Sequence, residues 1–128
     1  MNDTSSIRRS VIMLAFAVLG WAMCGAIIGI GRHVTTMQAT LIIHAIGAPL
    51  LFAALAWVHH TWIGGFSPLR LAGYFLGIVM GLDFFIVAPF MERSYAMFSS
   101  VLGTWIPFLS LFIAAWLSGW RAVAKRTK

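Results

Sequence analysis

Four long apolar runs, Val11–Ile30, Met37–Val58, Leu71–Phe90 and Tyr95–Trp120, are separated by short polar breaks that hold most of the charge. A helix needs about 20 predominantly apolar residues to cross the hydrocarbon core of a bilayer, and each run reaches that length. The pattern predicts an all-α fold: a four-transmembrane-helix bundle with antiparallel up-down neighbours, built as a single integral membrane domain over residues 1–128. The first run follows Arg8-Arg9 and resembles the start of an export signal. A secretory apolar core is usually 7–15 residues, whereas this one is about 20 and is followed by more spans, so it is expected to be an uncleaved first helix. A twin-arginine signal is disfavoured by Ile7 before the pair and by the same length.

Within the third run Gly73, Gly77 and Gly81 recur every fourth residue, which on a helix stacks them into one shallow groove that another backbone can approach. Gly25 and Gly29 repeat the spacing in the first run. These five glycines are the expected helix-packing positions, and they make helix three the expected centre of the bundle. At about 100° per residue Asp83 lies roughly 200° round from Gly81, so acid and groove face different sides.

Composition sharpens the class. With 61% hydrophobic and 9% charged residues and a mean hydropathy of +0.93, the chain cannot hide its apolar surface in a soluble core of this size. The net charge of +6 sits at the ends of apolar runs rather than in a patch, so it is read as a topology signal and not as a nucleic-acid surface. Placing the N-terminus inside puts Arg8, Arg9, Arg70, Arg121, Lys125, Arg126 and Lys128 on the cytoplasmic side and leaves Arg32 and Arg93 outside. The expected location is the bacterial inner (cytoplasmic) membrane, multi-pass, with both termini cytoplasmic. Trp57, Trp62, Tyr74, Trp116 and Trp120 gather at the inner end, where amphipathic rings anchor at a headgroup boundary. Cys24 is the single cysteine, which rules out an intramolecular disulfide or a dithiol pair and leaves a small packing residue.

The chemistry-bearing residues are few. A carboxyl group near the centre of hydrocarbon costs about 2.5–3.5 kcal/mol on insertion scales, so Asp83 needs a partner that is not lipid. His44 lies about seven residues from Met37, and Asp83 about seven from Phe90, each roughly 10 Å in at 1.5 Å per residue. Helices two and three are expected to form an antiparallel hairpin, which puts the two side chains level. Thr104 and Cys24 fall near the same depth. Thr40 precedes His44 by one turn, and Ser100 shares a face with Thr104 and Pro107. The candidate intramembrane polar site is therefore His44, Asp83, Thr104, Thr40 and Ser100. Pro49 and Pro107 lack an N–H and would free the carbonyls of Ala45 and Gly103 beside it. His59-His60 are expected in the longest, cytoplasmic loop, where two adjacent imidazoles pointing about 100° apart with no third ligand make a poor metal site. Glu92 and Arg93 roughly cancel in an outer turn.

A His44–Asp83 pair at one depth has two readings: an interhelical bond that fixes register, or a site for a proton or small polar solute. No nucleophile with its base and orienter is visible, so no catalytic residue is assigned and an enzyme is not expected. No metal and no cofactor is assigned either; a haem held through His44 would need its second axial ligand from elsewhere. A small multidrug exporter would carry its acid in the first helix, which has none, and a four-spanning fluoride channel would insert in both orientations, against the charge bias.

Three stretches look familiar together: Thr40-Leu-Ile-Ile-His-Ala-Ile-Gly-Ala-Pro49, Met80-Gly-Leu-Asp-Phe-Phe-Ile-Val-Ala-Pro89 and Ser94-Tyr-Ala-Met-Phe-Ser-Ser-Val-Leu-Gly-Thr-Trp-Ile-Pro107. They resemble a group of small four-helix membrane proteins of bacteria and archaea that carries no assigned activity. The resemblance covers helices two to four and implies architecture only. The functional expectation is a non-enzymatic structural or accessory membrane unit held by the His44–Asp83 pair, with a small transporter or channel-like protein using that pair as the alternative. The expected partners are the lipid bilayer and either further copies of the chain or another membrane protein, with no nucleic acid.

Overall fold

The computed structural model describes residues 3–126 and is all-helical over them. Helix α1 spans Asp3–Val34, α2 Met37–Trp62, α3 Pro68–Leu82 and α4 Ile106–Arg126. Four stretches are long and apolar enough to cross a membrane: Thr4–Val34, Met37–Trp62, Pro68–Met91 and Val101–Lys125. Ile46, Leu50, Phe85, Phe90, Leu109 and Trp120 are all more than half exposed, an apolar exterior that water would not tolerate on a monomer.

Local chemistry sets the helix ends. The Thr36 hydroxyl caps α2 by accepting from the Ala39 N–H at 3.1 Å, and Ser67 caps α3 in the same way through Arg70, with Pro68 in the first turn where its missing N–H does no harm. Gly64 and Gly65 adopt positive φ of 70° and 95°, which turns the chain tightly between α2 and α3.

Both later spans contain wide π-helical turns. Asp83–Met91 continues α3 in this form, and Val101–Trp105 leads into α4. Glu92 N–H reaches back five residues to Val87 O at 2.8 Å. Each wide segment contains or runs into a proline, Pro89 or Pro107, and a proline cannot donate or fit in the ordinary four-residue register. Pro49, by contrast, sits inside an unbroken α2. The fourth span begins at Val101 rather than at Tyr95, because Ala96–Ser99 forms a short 3-10 turn.

The packing order departs from the chain order. α2 packs most extensively on α4 and then on α1, and α3 packs on α4 and on α1, while the consecutive α2 and α3 touch only sparingly. The expected hairpin of helices two and three is therefore corrected: they sit across the bundle from each other. The core is built of rings among small residues, with Phe52 and Phe75 edge to face at 5.5 Å beside the fully buried Ala17, Ala48, Ala56 and Ala72.

The expected packing glycines are also corrected. A Cβ at Gly25, Gly29, Gly73, Gly77 or Gly81 would meet nothing within 4 Å. Helix three is not central through them; its glycine groove opens outward. Close approach falls elsewhere, at Gly20 against Phe52, Gly31 against Thr40, Gly103 against Leu41 and Gly119 against His60.

Candidate functional site

Asp83 stands at the junction where α3 widens into its π-helical end. Its side chain meets α1, where the Trp21 indole Nε1 donates to Asp83 Oδ1 at 2.9 Å. The buried Cys24, one turn along α1 on the same face, lies within electrostatic reach of that carboxyl. The acid of the third span thus finds a neutral donor on an adjacent helix, as a carboxyl group in an apolar setting must.

The expected His44–Asp83 pair does not form. His44 is buried on α2, its Nδ1 has no hydrogen-bond partner, and its helix lies opposite the one that carries Asp83. Counting residues from the ends fixed depth, but only the order of helices round the bundle fixes who meets whom.

The hydroxyls of the expected layer are engaged locally. Thr40 Oγ1 donates to Thr36 O at 2.9 Å. Thr104 Oγ1 donates to Met97 O at 2.5 Å, closing the bend that brings the chain into the fourth span. Ser100 accepts from Gly103 N–H at 2.9 Å and acts as a helix cap. Among the described residues no side-chain hydrogen bond joins His44, Asp83, Thr40, Thr104 and Ser100 to one another, and only the backbone links Thr104 N–H to Ser100 O at 3.1 Å, so the layer is a set of separate contacts.

Three features were not expected from the sequence. Trp21 is the first; its signal was an indole N–H in mid-run, a buried donor that needs an acceptor. The second is that α2 runs on to Trp62, which takes His59 and His60 out of the loop and buries them at 0% and 1% exposure. His59 packs edge-on to Phe16 at 5.3 Å and against Phe66 at 5.8 Å, with both of its nitrogens lacking a hydrogen-bond partner. The third is a tie at the opposite end, where Arg32 Nη2 meets Glu92 Oε1 at 2.8 Å; Glu92 is paired with Arg32 and not with its neighbour Arg93.

Ser118 adds an interhelical bond, donating to Ala53 O at 2.6 Å, and Lys125 lies 5.6 Å over the Trp57 ring. Among the described residues no group of three His, Cys, Asp or Glu gathers to hold a metal ion. A haem on His44 finds no histidine mate in the bundle at its depth: His59 and His60 lie roughly four turns further along the same helix, about 23 Å at 1.5 Å per residue, and His33 is exposed at the end of α1. Two of these bonds join helices, Trp21–Asp83 linking α1 to α3 and Ser118–Ala53 linking α4 to α2. Comparison with protein-family models, curated proteins and solved structures gave no match to this chain.

Proposed function

We propose that this chain is a small integral protein of the bacterial cytoplasmic membrane, with both termini on the cytoplasmic side, that works as a non-enzymatic structural or accessory unit. The observation that carries the reading is the outward glycine face of α3. Gly73 and Gly77 leave a groove that no described residue fills, and in lipid such a groove favours close packing of another helix. The intramembrane polar groups support the same reading, since Trp21, Asp83 and Ser118 are engaged in interhelical bonds. The partner is then a neighbouring transmembrane helix seated on α3.

The test is gentle solubilisation from native membranes, followed by sizing and identification of what accompanies the protein. A stoichiometric larger assembly that is lost in Gly73→Leu/Gly77→Leu, with the helical content unchanged, supports the accessory reading. A bare monomer in both preparations overturns it.

A second reading, a small transporter for a proton or polar solute, is favoured by one observation: the buried His44 Nδ1 has no partner. Asp83→Asn preserves size and keeps an acceptor for the indole. Unaltered flux in reconstituted vesicles of that variant would reject a transporter that depends on the carboxyl group.

A further inference from the structure

One hollow is used by none of the polar contacts and touches the glycine face only at Gly81, one turn beyond Gly77. Between the end of α3 and the connection into α4, Met80, Gly81, Phe84, Tyr95, Phe98 and Trp105 line an open groove of about 600 Å³ whose walls present no polar atom. Its rings form a continuous edge. Phe84 and Tyr95 lie 5.1 Å apart, Tyr95 stacks on Phe98 at 6.3 Å, and Phe98 meets Trp105 at 6.4 Å. The wall is held in place by its own backbone, since Trp105 Nε1 donates to Phe98 O at 2.6 Å. The floor is Gly81, where a side chain would have met nothing within 4 Å.

The charge beside this groove is uneven. Glu92 is taken by Arg32, and Asp83, next in sequence to Phe84, is engaged with the Trp21 indole on α1. Arg93, in the left-handed conformation with φ 54°, is exposed and forms no ion pair among the described residues. It sits two residues before Tyr95, whose ring lines the groove and is half exposed.

We infer that this groove is a lipid site, taking one acyl chain of an anionic phospholipid whose phosphate is met by Arg93. Walls without a polar atom exclude water and polar solutes and select hydrocarbon. A guanidinium carried two residues along the chain from the Tyr95 wall, with no ion pair among the described residues, selects a negative headgroup, for which it offers a planar fork of donors. Tyr and Trp at the groove suit the depth where headgroup meets chain. The inference rests on the membrane reading above, and the experiment separates the two.

The full chain is placed in nanodiscs, and lipid retention is read by native mass spectrometry after release into detergent. Dioleoyl phosphatidylglycerol and dioleoyl phosphatidylcholine are supplied at equal amounts. One retained phosphatidylglycerol per chain is expected, preferred about fivefold over phosphatidylcholine, as one basic residue near a membrane surface provides. Arg93→Gln is expected to keep a lipid but remove the preference. Gly81→Leu fills the floor and is expected to abolish retention; should that variant not fold, Tyr95→Ala removes an exposed wall and is expected to weaken retention instead. Equal retention of both lipids by the unaltered chain, or undiminished retention in the folded groove variant, overturns the inference. A chain that fails to enter nanodiscs counts against the membrane reading itself.

Discussion

The Trp21–Asp83 contact is the sharpest point at which the fold is open to refutation. Trp21→Phe removes the indole N–H that Asp83 Oδ1 accepts at 2.9 Å, and Asp83→Leu removes the acceptor. Each single change leaves a part-buried polar group without a partner, so each destabilises by more than the bond alone. The double variant loses both ends together, and the cycle isolates the pairwise contribution from the ring area lost at position 21. Intramembrane hydrogen bonds average about 0.6 kcal/mol and reach about 1.7; a carboxyl acceptor at good distance belongs to the upper part of that range, giving an expected coupling of about 1–2 kcal/mol. The assay is reversible unfolding in mixed micelles with rising dodecyl sulfate, followed by far-UV circular dichroism. A parallel cycle on His44→Ala and Asp83→Leu is expected to be additive within about 0.5 kcal/mol, because those residues sit on opposite helices. A His44–Asp83 coupling that exceeds the Trp21–Asp83 coupling would refute the helix order described above.

The same unfolding assay distinguishes the two kinds of glycine. Gly20→Ala drives a methyl group to 2.6 Å from the Phe52 ring, which is itself fully buried, and is expected to cost about 1–3 kcal/mol. Gly73→Ala meets nothing and is expected to be neutral or to stabilise the isolated chain by up to about 1 kcal/mol through helix propensity; the reverse order would put the α3 groove inside the bundle. Ser118→Ala deletes the 2.6 Å bond to Ala53 O between α4 and α2, and a loss of about 0.5–1.5 kcal/mol is expected. Arg32→Gln breaks a pair whose side chains are 35% and 37% exposed, so an effect below about 1 kcal/mol that fades in high salt is expected, measured by repeating the titration at two ionic strengths.

Much of the fold is legible in the chain because length and hydropathy are one-dimensional quantities. The runs beginning near Val11, Met37 and Leu71 lie within the helical stretches Thr4–Val34, Met37–Trp62 and Pro68–Met91. The errors fall at the ends, where the residues are ambiguous. His59 and His60 look like loop residues, yet they extend α2, where Phe16 and Phe66 give the His59 imidazole an aromatic setting and His60 packs edge-on to His59. Tyr95–Ser100 is apolar enough to extend a span, but the Ser94 hydroxyl accepting from Ala96 N–H and the Ser99 hydroxyl donating to Ala96 O stabilise a turn there instead.

The partner of Asp83 and the direction of the glycine groove were not legible, and for one reason. In water, an apolar face must turn inward, so periodicity tells inside from outside. In a bilayer, both sides of a helix face hydrocarbon-like surroundings, and a stripe of small residues fits a neighbour of the same chain or of another equally well. The four-residue glycine repeat points to Gly73 and passes over Gly20, which lies between Phe16 and Cys24 at that spacing; only the Phe52 side chain seated against Gly20 shows where close packing falls. Depth suffers from the same limit. Trp21 lies about nine residues from Ile30 and Asp83 about seven from Phe90, a match no better than that of His44, and the choice between indole and imidazole was made by α1 packing beside α3 while α2 packs across on α4. An acid in a transmembrane run therefore announces that a donor exists at its level, and the order of helices decides which donor it is.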